Sequence, residues 1–457
     1  MLAAAFVLRA LRVVTRWHED AWLYAAYPSD TVDALARGQL PTAFTGLHPP
    51  AWPLLHALSE LLLPVPLLWL SSSALLSLGA VVLLARRSVL SAAVLATAPV
   101  AVHYAAEVNQ YALLTFALAG LWSRPPPRDT AHIDLRLVAW GALAGWTHIL
   151  GAIAALLALV TLPHRSRLRT TALLALALSP LAVGVFTAAA QSSTFSQPPL
   201  RPTLIAQDWL ARFGVGGLLL TALLLRPARD EHTTAVVGSS LFIVIFIALG
   251  VAAPHQFPYW LVPLPALALL ASSARWPHVL VGLCVLQAAW QLAFDSMRVQ
   301  AILADLSRAD RAVDVALSEL SEPWTCSGAP TPSCSGDALV LLRPPGRNDD
   351  DKTRTSSVLW RIEPWRFAPR VWPTPGFDWA DHRLGQPRLV HRSTGLHVVY
   401  VHDHLRPSLA RLTEAHHRVW LVVSEPGQHA EYTRQLDDLL QGTASPIGAD
   451  RLYRLQP

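Results

Sequence analysis

The sequence predicts a polytopic α-helical membrane protein of about eleven spans, ending in a small α/β domain outside the membrane. Three observations predict it. The 457 residues are 53% hydrophobic and only 15% charged, with a mean hydropathy of +0.36. Apolar runs alternate with short arginine-bearing breaks as far as Phe294, and beyond Asp295 the composition becomes that of an ordinary globular chain. The net charge of +5 is small for this length and its arginines sit mostly between apolar runs. Such a pattern marks membrane topology and argues against nucleic-acid binding.

Met1 to Thr15 is the first apolar run, interrupted by Arg9 and Arg12. A cleaved signal peptide has an unbroken apolar core, so this run reads as a short span or a truncated start. The later runs are Pro66–Ala85, Ser88–His103, Tyr111–Trp122, Leu137–Leu162, Thr171–Ala190, Trp209–Leu225, Ala235–Ala253, Tyr259–Ala274 and Val279–Phe294. Leu54–Leu63 is shorter and reads as a surface segment. The basic breaks are Arg86-Arg87, Arg124–Arg136, His164–Arg169, Arg226–Arg229 and Arg275. If all are cytoplasmic, Leu137–Leu162 has to cross twice, turning near His148, with limbs of only about 13 residues against the usual 17–25.

This topology starts inside and ends outside. It gathers Glu19-Asp20, His48, Glu107, His148, Gln191–Gln207 and His255 on the outer side. Ionisable groups at or within a membrane are candidates for function. The domains are residues 1–294, a membrane domain with a first outer loop at 17–52, and residues 295–457, an extracytoplasmic α/β domain. In the latter, Ala338–Leu342, His397–His402 and Val419–Ser424 read as buried strands, and Met297–Leu320, Ser408–His417 and Gln428–Gln441 as helices. Gly214-Val215-Gly216-Gly217 lies in an apolar run and reads as helix packing. Cys284 reads as a buried hydrophobe, whereas Cys326 and Cys334 are spaced so that a disulfide can close in an oxidising compartment.

The loop from Trp17 to Trp52 is long for a connector with no core of its own, which favours function. Glu19-Asp20 can supply a general base or hold a divalent metal, or be no more than solvated loop acids. His48-Pro49-Pro50 is rigid, and serves equally as a helix start. Glu107, Gln110 and Tyr111 share one helical face, with Asn109 beside them; an interfacial cap with a belt tyrosine is the bland alternative. His148 after Gly145-Trp146-Thr147 is a ligand, a phosphate contact or a turn residue. Arg201 and His255 on the same side are further candidates for phosphate contact.

Taken in order, these pieces resemble the GT-C membrane glycosyltransferases, in particular the bacterial branch related to protein O-mannosyltransferases and lipid A aminoarabinose transferases. The resemblance rests on the acidic pair after the first span and His48-Pro49-Pro50. It rests also on Glu107 and Tyr111 opening a later span, Thr147-His148 at an outer turn, and the late segment Pro254 to Ser272. It covers most of the membrane part and, loosely, Val419–Leu455. It implies a multi-pass protein of the bacterial plasma membrane. The implied reaction is transfer of a sugar from a polyprenyl-phosphate donor to a protein, lipid or glycan acceptor on the outer face. It also implies inversion at the anomeric carbon, with Asp20 or Glu19 as the base and His48, Glu107, Asn109, Gln110, Tyr111, His148, Arg201 and His255 around the substrate. Relatives usually carry Asp-Glu where this chain has Glu19-Asp20, and an arginine where it has Asn109. Two alternatives stand beside this expectation: a transporter or flippase of a lipid-linked solute, and an inactive relative that only binds.

Overall fold

Helices and a mixed sheet occupy separate parts of the chain in the computed structural model. It describes residues 2–13, 38, 49, 51–52, 54–55, 67–105, 110–125, 132–191, 214, 236–241, 244, 260–294 and 296–297, and, beyond these, residues 338–342, 367–368, 388–391, 397–401, 419–423, 438, 444–447 and 452–455. Two units are distinguished: Met1–Arg16 with Ala34–Met297, and Trp17–Asp33 with Arg298–Pro457.

The first unit is helical. Its described helices are α1 (Leu2–Val13), α2 (Leu67–Ala85), α3 (Val89–Thr97), α4 (Pro99–Ala105), α5 (Tyr111–Ser123), α6 (Leu135–Thr147), α7 (Ile149–Ala158), α8 (His164–Gln191), α9 (Leu264–Leu270) and α10 (Pro277–Phe294). Helices apolar on nearly every side bury themselves among one another. The shared core contains Leu84 of α2, Leu95 of α3, Leu114 and Leu118 of α5, Ala144 of α6, Ala155 of α7 and Leu264 of α9. By contrast, α10 is 18 residues long, about 27 Å, and only 22% buried. It exposes Val281, Val285, Leu286, Trp290 and Phe294, as a helix facing lipid does.

The expected reversal near His148 is present. A Cβ on Gly141 would lie 2.8 Å from Ala155, and one on Gly145 3.2 Å from Ala152. Those pairings centre on residue 148, so α6 and α7 form an antiparallel hairpin. Its limbs are 13 residues on one side and, on the other, 10 residues of α7 plus a three-residue 3₁₀ turn, Leu159–Thr161. Glycines and alanines let the two backbones approach closely.

At the end of this hairpin remote from His148, Arg124 joins three helices. Its guanidinium pairs with Asp134 at 3.1 Å and donates to the carbonyls of Leu121 at 2.8 Å and Ala158 at 3.3 Å, and to the hydroxyl of Thr161. Asp134 also caps α6 by accepting from the Leu137 N–H at 3.0 Å. Burial lowers the Arg124 pKa from its ordinary value, and the Asp134 carboxylate partly restores it.

Four expectations require correction. Ser88–His103 is not one helix: Ala98 adopts ψ 121°, and α4 starts at Pro99, because a residue before proline is pushed out of the helical region. His164–Arg169 is not a loop but the opening of α8, since arginine is a good helix former and its long stem tolerates an apolar boundary. Tyr259–Ala274 is not a single span-length helix. Its described part holds only the seven residues of α9 followed by a 3₁₀ turn, with Trp260, Leu261 and Val262 buried before it. Gly214 is not a helical packing glycine. Its φ of +86° is left-handed, and a Cβ there would overlap the Gln287 side chain. Gly216 and Gly217 lie outside the described residues.

The second unit contains a seven-stranded sheet in the order β2-β3-β4-β1-β5-β7-β6. β1 (Ala338–Leu342) pairs in parallel with β4 (His397–Val401) and β5 (Val419–Val423), giving the three strands expected from sequence. β2 (Phe367–Ala368), β3 (Arg388–His391), β6 (Ala444–Ile447) and β7 (Leu452–Leu455) extend it by antiparallel pairing. The three expected helices of this part lie outside the described residues, save Met297 and Asp438. Cys326 and Cys334 lie outside them too.

Candidate functional site

Chain direction sorts the polar groups of α5, α6 and α7 by end. α5 runs from Tyr111 towards Arg124, α6 returns, and α7 reverses again. Tyr111 and His148 therefore share the end opposite the Arg124–Asp134 pair.

His148 is the hinge of the hairpin. Its backbone is extended, with φ −157° and ψ 143°, and its N–H closes α6 on the Ala144 carbonyl at 3.0 Å. Its imidazole then caps α7, with Nδ1 accepting from the Leu150 N–H at 3.1 Å. Its carbonyl accepts from the N–H groups of Gly151 and Ala152. One residue thus serves the free backbone groups of two helix ends. An imidazole whose Nδ1 accepts carries its hydrogen on Nε2.

His148 lies against Tyr111, their ring centroids 5.9 Å apart. Tyr111 meets Tyr104 edge to face at 5.1 Å, and Tyr104 meets His103 at 4.8 Å. Such edge-to-face contacts suit the ring quadrupoles. Gln110, immediately before α5, is fully buried, and His148 is 6% exposed. The end of the helical unit is thereby walled by three histidine and tyrosine rings from α4 and α5 and by the imidazole of the α6–α7 turn.

Of the residues read as candidates from sequence, Gln110, Tyr111 and His148 are described, and the last two are brought into contact. Glu19, Asp20, His48, Glu107, Asn109, Arg201 and His255 lie outside the described residues, although Pro49 is within them and half-buried. Among the described residues, no group of three or more His, Cys, Asp or Glu side chains gathers to hold a metal. Sequence reading missed His103, which it absorbed into the end of the apolar run Ser88–His103, and Tyr104, which follows that run directly. The signal was available: a polar ring pair shortly after Pro99 marks the end of a short helix, not its interior.

No protein-family model matches the chain, and no curated protein matches it. Two solved structures do. ArnT from Cupriavidus metallidurans bound to undecaprenyl phosphate matches with a TM-score of 0.55 at 13% identity, over 99% of this chain and 96% of that one. The same protein in the apo state matches with a TM-score of 0.55 at 14% identity, over the same shares. Identity this low carries fold and not activity. The chain therefore has the fold of ArnT from Cupriavidus metallidurans.

Proposed function

We propose that this protein is a membrane glycosyltransferase that takes a sugar from a polyprenyl-phosphate carrier and passes it to an acceptor on the outer face of the bacterial inner membrane. The observation that carries the proposal is likeness over 99% of the chain to an ArnT structure holding undecaprenyl phosphate. The Tyr111–His148 pair supports it, because it stands at the bundle end where the sequence topology gathers the acidic and histidine motifs.

In this reading, Asp20 or Glu19 removes the proton of the acceptor hydroxyl. The oxygen attacks the anomeric carbon from the face opposite the phosphate, the carbon–oxygen bond to phosphate breaks, and the electron pair leaves with the phosphate. The configuration inverts. Hydrogen-bond donors and cations stabilise the developing phosphate charge, a role suited to His148, Arg201 and His255. His48, Glu107, Asn109, Gln110 and Tyr111 bind the sugar and its carrier. The second unit lies on the extracytoplasmic side. The polyprenyl phosphate leaves within its own lipid.

The test uses purified protein in lipid, offered a panel of polyprenyl-phosphate sugars. Release of polyprenyl phosphate is followed for wild type, Asp20→Asn and Glu19→Gln. Release that one substitution abolishes, with the amount of folded protein unchanged, supports the proposal and names the base. Full turnover in both variants, or no release from any donor, overturns it.

A further inference from the structure

We infer that the outward face of α8 is a binding site for an anionic phospholipid of the leaflet on the Arg124–Asp134 side, with Arg165 taking its phosphodiester. The inference stands apart from the transferase reading and needs only that the helical unit lies in a membrane. It starts from the way α8 divides its faces. Ser166, Thr170 and Leu174 are buried and recur every four residues, as on the side of a helix turned to its neighbours. The Ser166 hydroxyl donates to the His132 carbonyl at 2.6 Å, and the Thr170 hydroxyl accepts from the Asp134 N–H at 3.1 Å. These bonds fix α8 against the start of α6.

Arg165, Leu168, Arg169, Ala172 and Leu176 follow one another at spacings of one, three or four residues on the opposite face. All are exposed, Leu168 by 64% and Leu176 by 69%. The cations come first along this stripe and the apolar residues follow. From Arg165 to Leu176 the helix rises about 16 Å, close to half of a hydrocarbon core about 30 Å thick. Basic residues at a membrane boundary set topology in general. Here they are also in register with an apolar track as deep as one leaflet.

The positive charge of this end is not balanced from within. Asp134 is the one carboxylate among the described residues of the helical unit, and it is spent on Arg124. Arg167, half-buried, donates to the carbonyls of Val160 and Leu162, which are neutral acceptors, so its charge remains and is held in place. A phosphodiester beside Arg165 meets a guanidinium that matches its two free oxygens, within the field of that second cation. Free phosphate satisfies the cations but leaves the apolar track unused, whereas a phospholipid engages both. A zwitterionic phospholipid carries its own cation and gains less from the field.

The test uses the full-length protein purified in an uncharged detergent, with phosphatidylglycerol, phosphatidylcholine or inorganic phosphate added. Native mass spectrometry counts bound lipid and gives its dissociation constant, and the melting temperature is followed alongside. We expect wild type to bind phosphatidylglycerol more tightly than phosphatidylcholine and to melt higher with it. Inorganic phosphate should leave the melting temperature unchanged. Arg165→Gln should bind phosphatidylglycerol about five-fold more weakly, the effect of one arginine near an anionic headgroup. Leu168→Glu, at an exposed position one turn from Arg165, sets a carboxylate beside the phosphate's place. It should melt like wild type without lipid and lose the preference for phosphatidylglycerol. Arg136→Gln removes an exposed cation of α6 at the same end and should bind as wild type does.

Equal affinity of wild type for the two lipids, or a preference retained in Leu168→Glu, overturns the inference. A loss in Arg136→Gln as large as that in Arg165→Gln also overturns it, since it would reveal diffuse attraction to the surface and no site. Stabilisation by inorganic phosphate equal to that by phosphatidylglycerol does so too, by showing an anion site that has no use for lipid. If Arg165→Gln melts low without lipid, Leu168→Glu decides alone.

Discussion

The guanidinium of Arg9 in α1 donates to the carbonyl of Ala96 in α3 at 3.0 Å, three residues before Pro99 breaks that helix. The break frees the last carbonyls of α3, and buried backbone groups inside a membrane protein must find partners. Neighbouring helices supply them. Arg9 also bonds the Ser77 hydroxyl at 2.9 Å and the Ala5 carbonyl at 3.1 Å, and Thr97 accepts from the side-chain amides of Gln287 and Gln291 in α10. An arginine that looks like an interruption of the first apolar run is the cap that makes the proline break tolerable.

Replacing Arg9 with Met leaves the Ala96 carbonyl and the Ser77 hydroxyl without that donor, at a cost of about 1–3 kcal/mol. It also removes a buried charge, which offsets part of the loss. We expect a net decrease of about 2 kcal/mol, read as a melting temperature about 5 °C lower in detergent. Arg9→Lys, with fewer donors in a less suited geometry, should fall between the two. A melting temperature at or above wild type in Arg9→Met would show that burying the charge costs more than the capping contributes.

Asp134 does two things for the opposite end of the hairpin: it caps α6 and neutralises Arg124. Asp134→Ala loses both and strands a buried cation, so we expect a loss of about 3–5 kcal/mol. Asp134→Asn keeps the cap and should lose less. The two should also differ from wild type in alkali. The pKa of Arg124 is lowered by burial and raised by Asp134, so removing Asp134 lowers it further. A base whose folded pKa lies below its unfolded value opposes folding while charged, and stability returns as pH rises through the folded pKa. Melting curves of Asp134→Ala should therefore recover with rising pH earlier in the alkaline range than those of wild type. Parallel curves would exclude an unpaired Arg124 as the source of the loss.

What the sequence reveals of this architecture depends on which physical signal each element carries. The hairpin at His148 is legible because one long apolar run lies between two basic breaks, and sidedness forces a reversal inside it. The Pro99 break is invisible to hydropathy, since Ala98 and Pro99 interrupt no apolar pattern, although proline itself carries the signal. The basic cluster His164–Arg169 misleads because charge marks a boundary of the membrane and not of the helix. In the sheet, β1 (ALVLL), β4 (HVVYV) and β5 (VWLVV) are predominantly apolar runs, rich in β-branched valine in β4 and β5, that read as strands, whereas β3 (RLVH), β6 (ASPI) and β7 (LYRL) are short and mixed. Their strand character comes from the ladder beside them: β3 and β7 are each paired on both sides, and β6 is an edge strand held by β7. At the site, Tyr111 and His148 are legible singly, but their contact joins residues far apart in the chain and needs the fold.

Tyr111 stands between Tyr104 and His148, so its ring supports both. Tyr111→Phe keeps the ring stack and should melt well above Tyr111→Ala, with any drop in undecaprenyl phosphate affinity assignable to the hydroxyl. Tyr111→Ala removes an aromatic pair on each side and should lower stability by about 3–5 kcal/mol. Equal stability of the Phe and Ala variants would show that the rings are adjacent without supporting one another.

The α6–α7 hairpin sets where His148 stands, and Gly151 sets how closely the hairpin closes. A Cβ at Gly151 would lie 2.2 Å from the Ala144 carbonyl oxygen and 2.5 Å from its carbon, both backbone atoms that no rotamer change can move aside. Gly151→Ala must therefore shift α7 against α6, at about 1–3 kcal/mol, and carry the His148 ring away from Tyr111. Gly282 in α10 is the control, because a Cβ there meets nothing within 4 Å. Gly282→Ala should be neutral or stabilising by about 0.5–1 kcal/mol, as expected when alanine replaces glycine inside a helix. Both variants are compared by melting temperature and by polyprenyl phosphate release. Gly151→Ala should lose both, and the loss of release should exceed what the lower melting temperature explains at the assay temperature. Normal release from a destabilised Gly151→Ala protein would separate the hairpin's closure from the chemistry and remove His148 from the site.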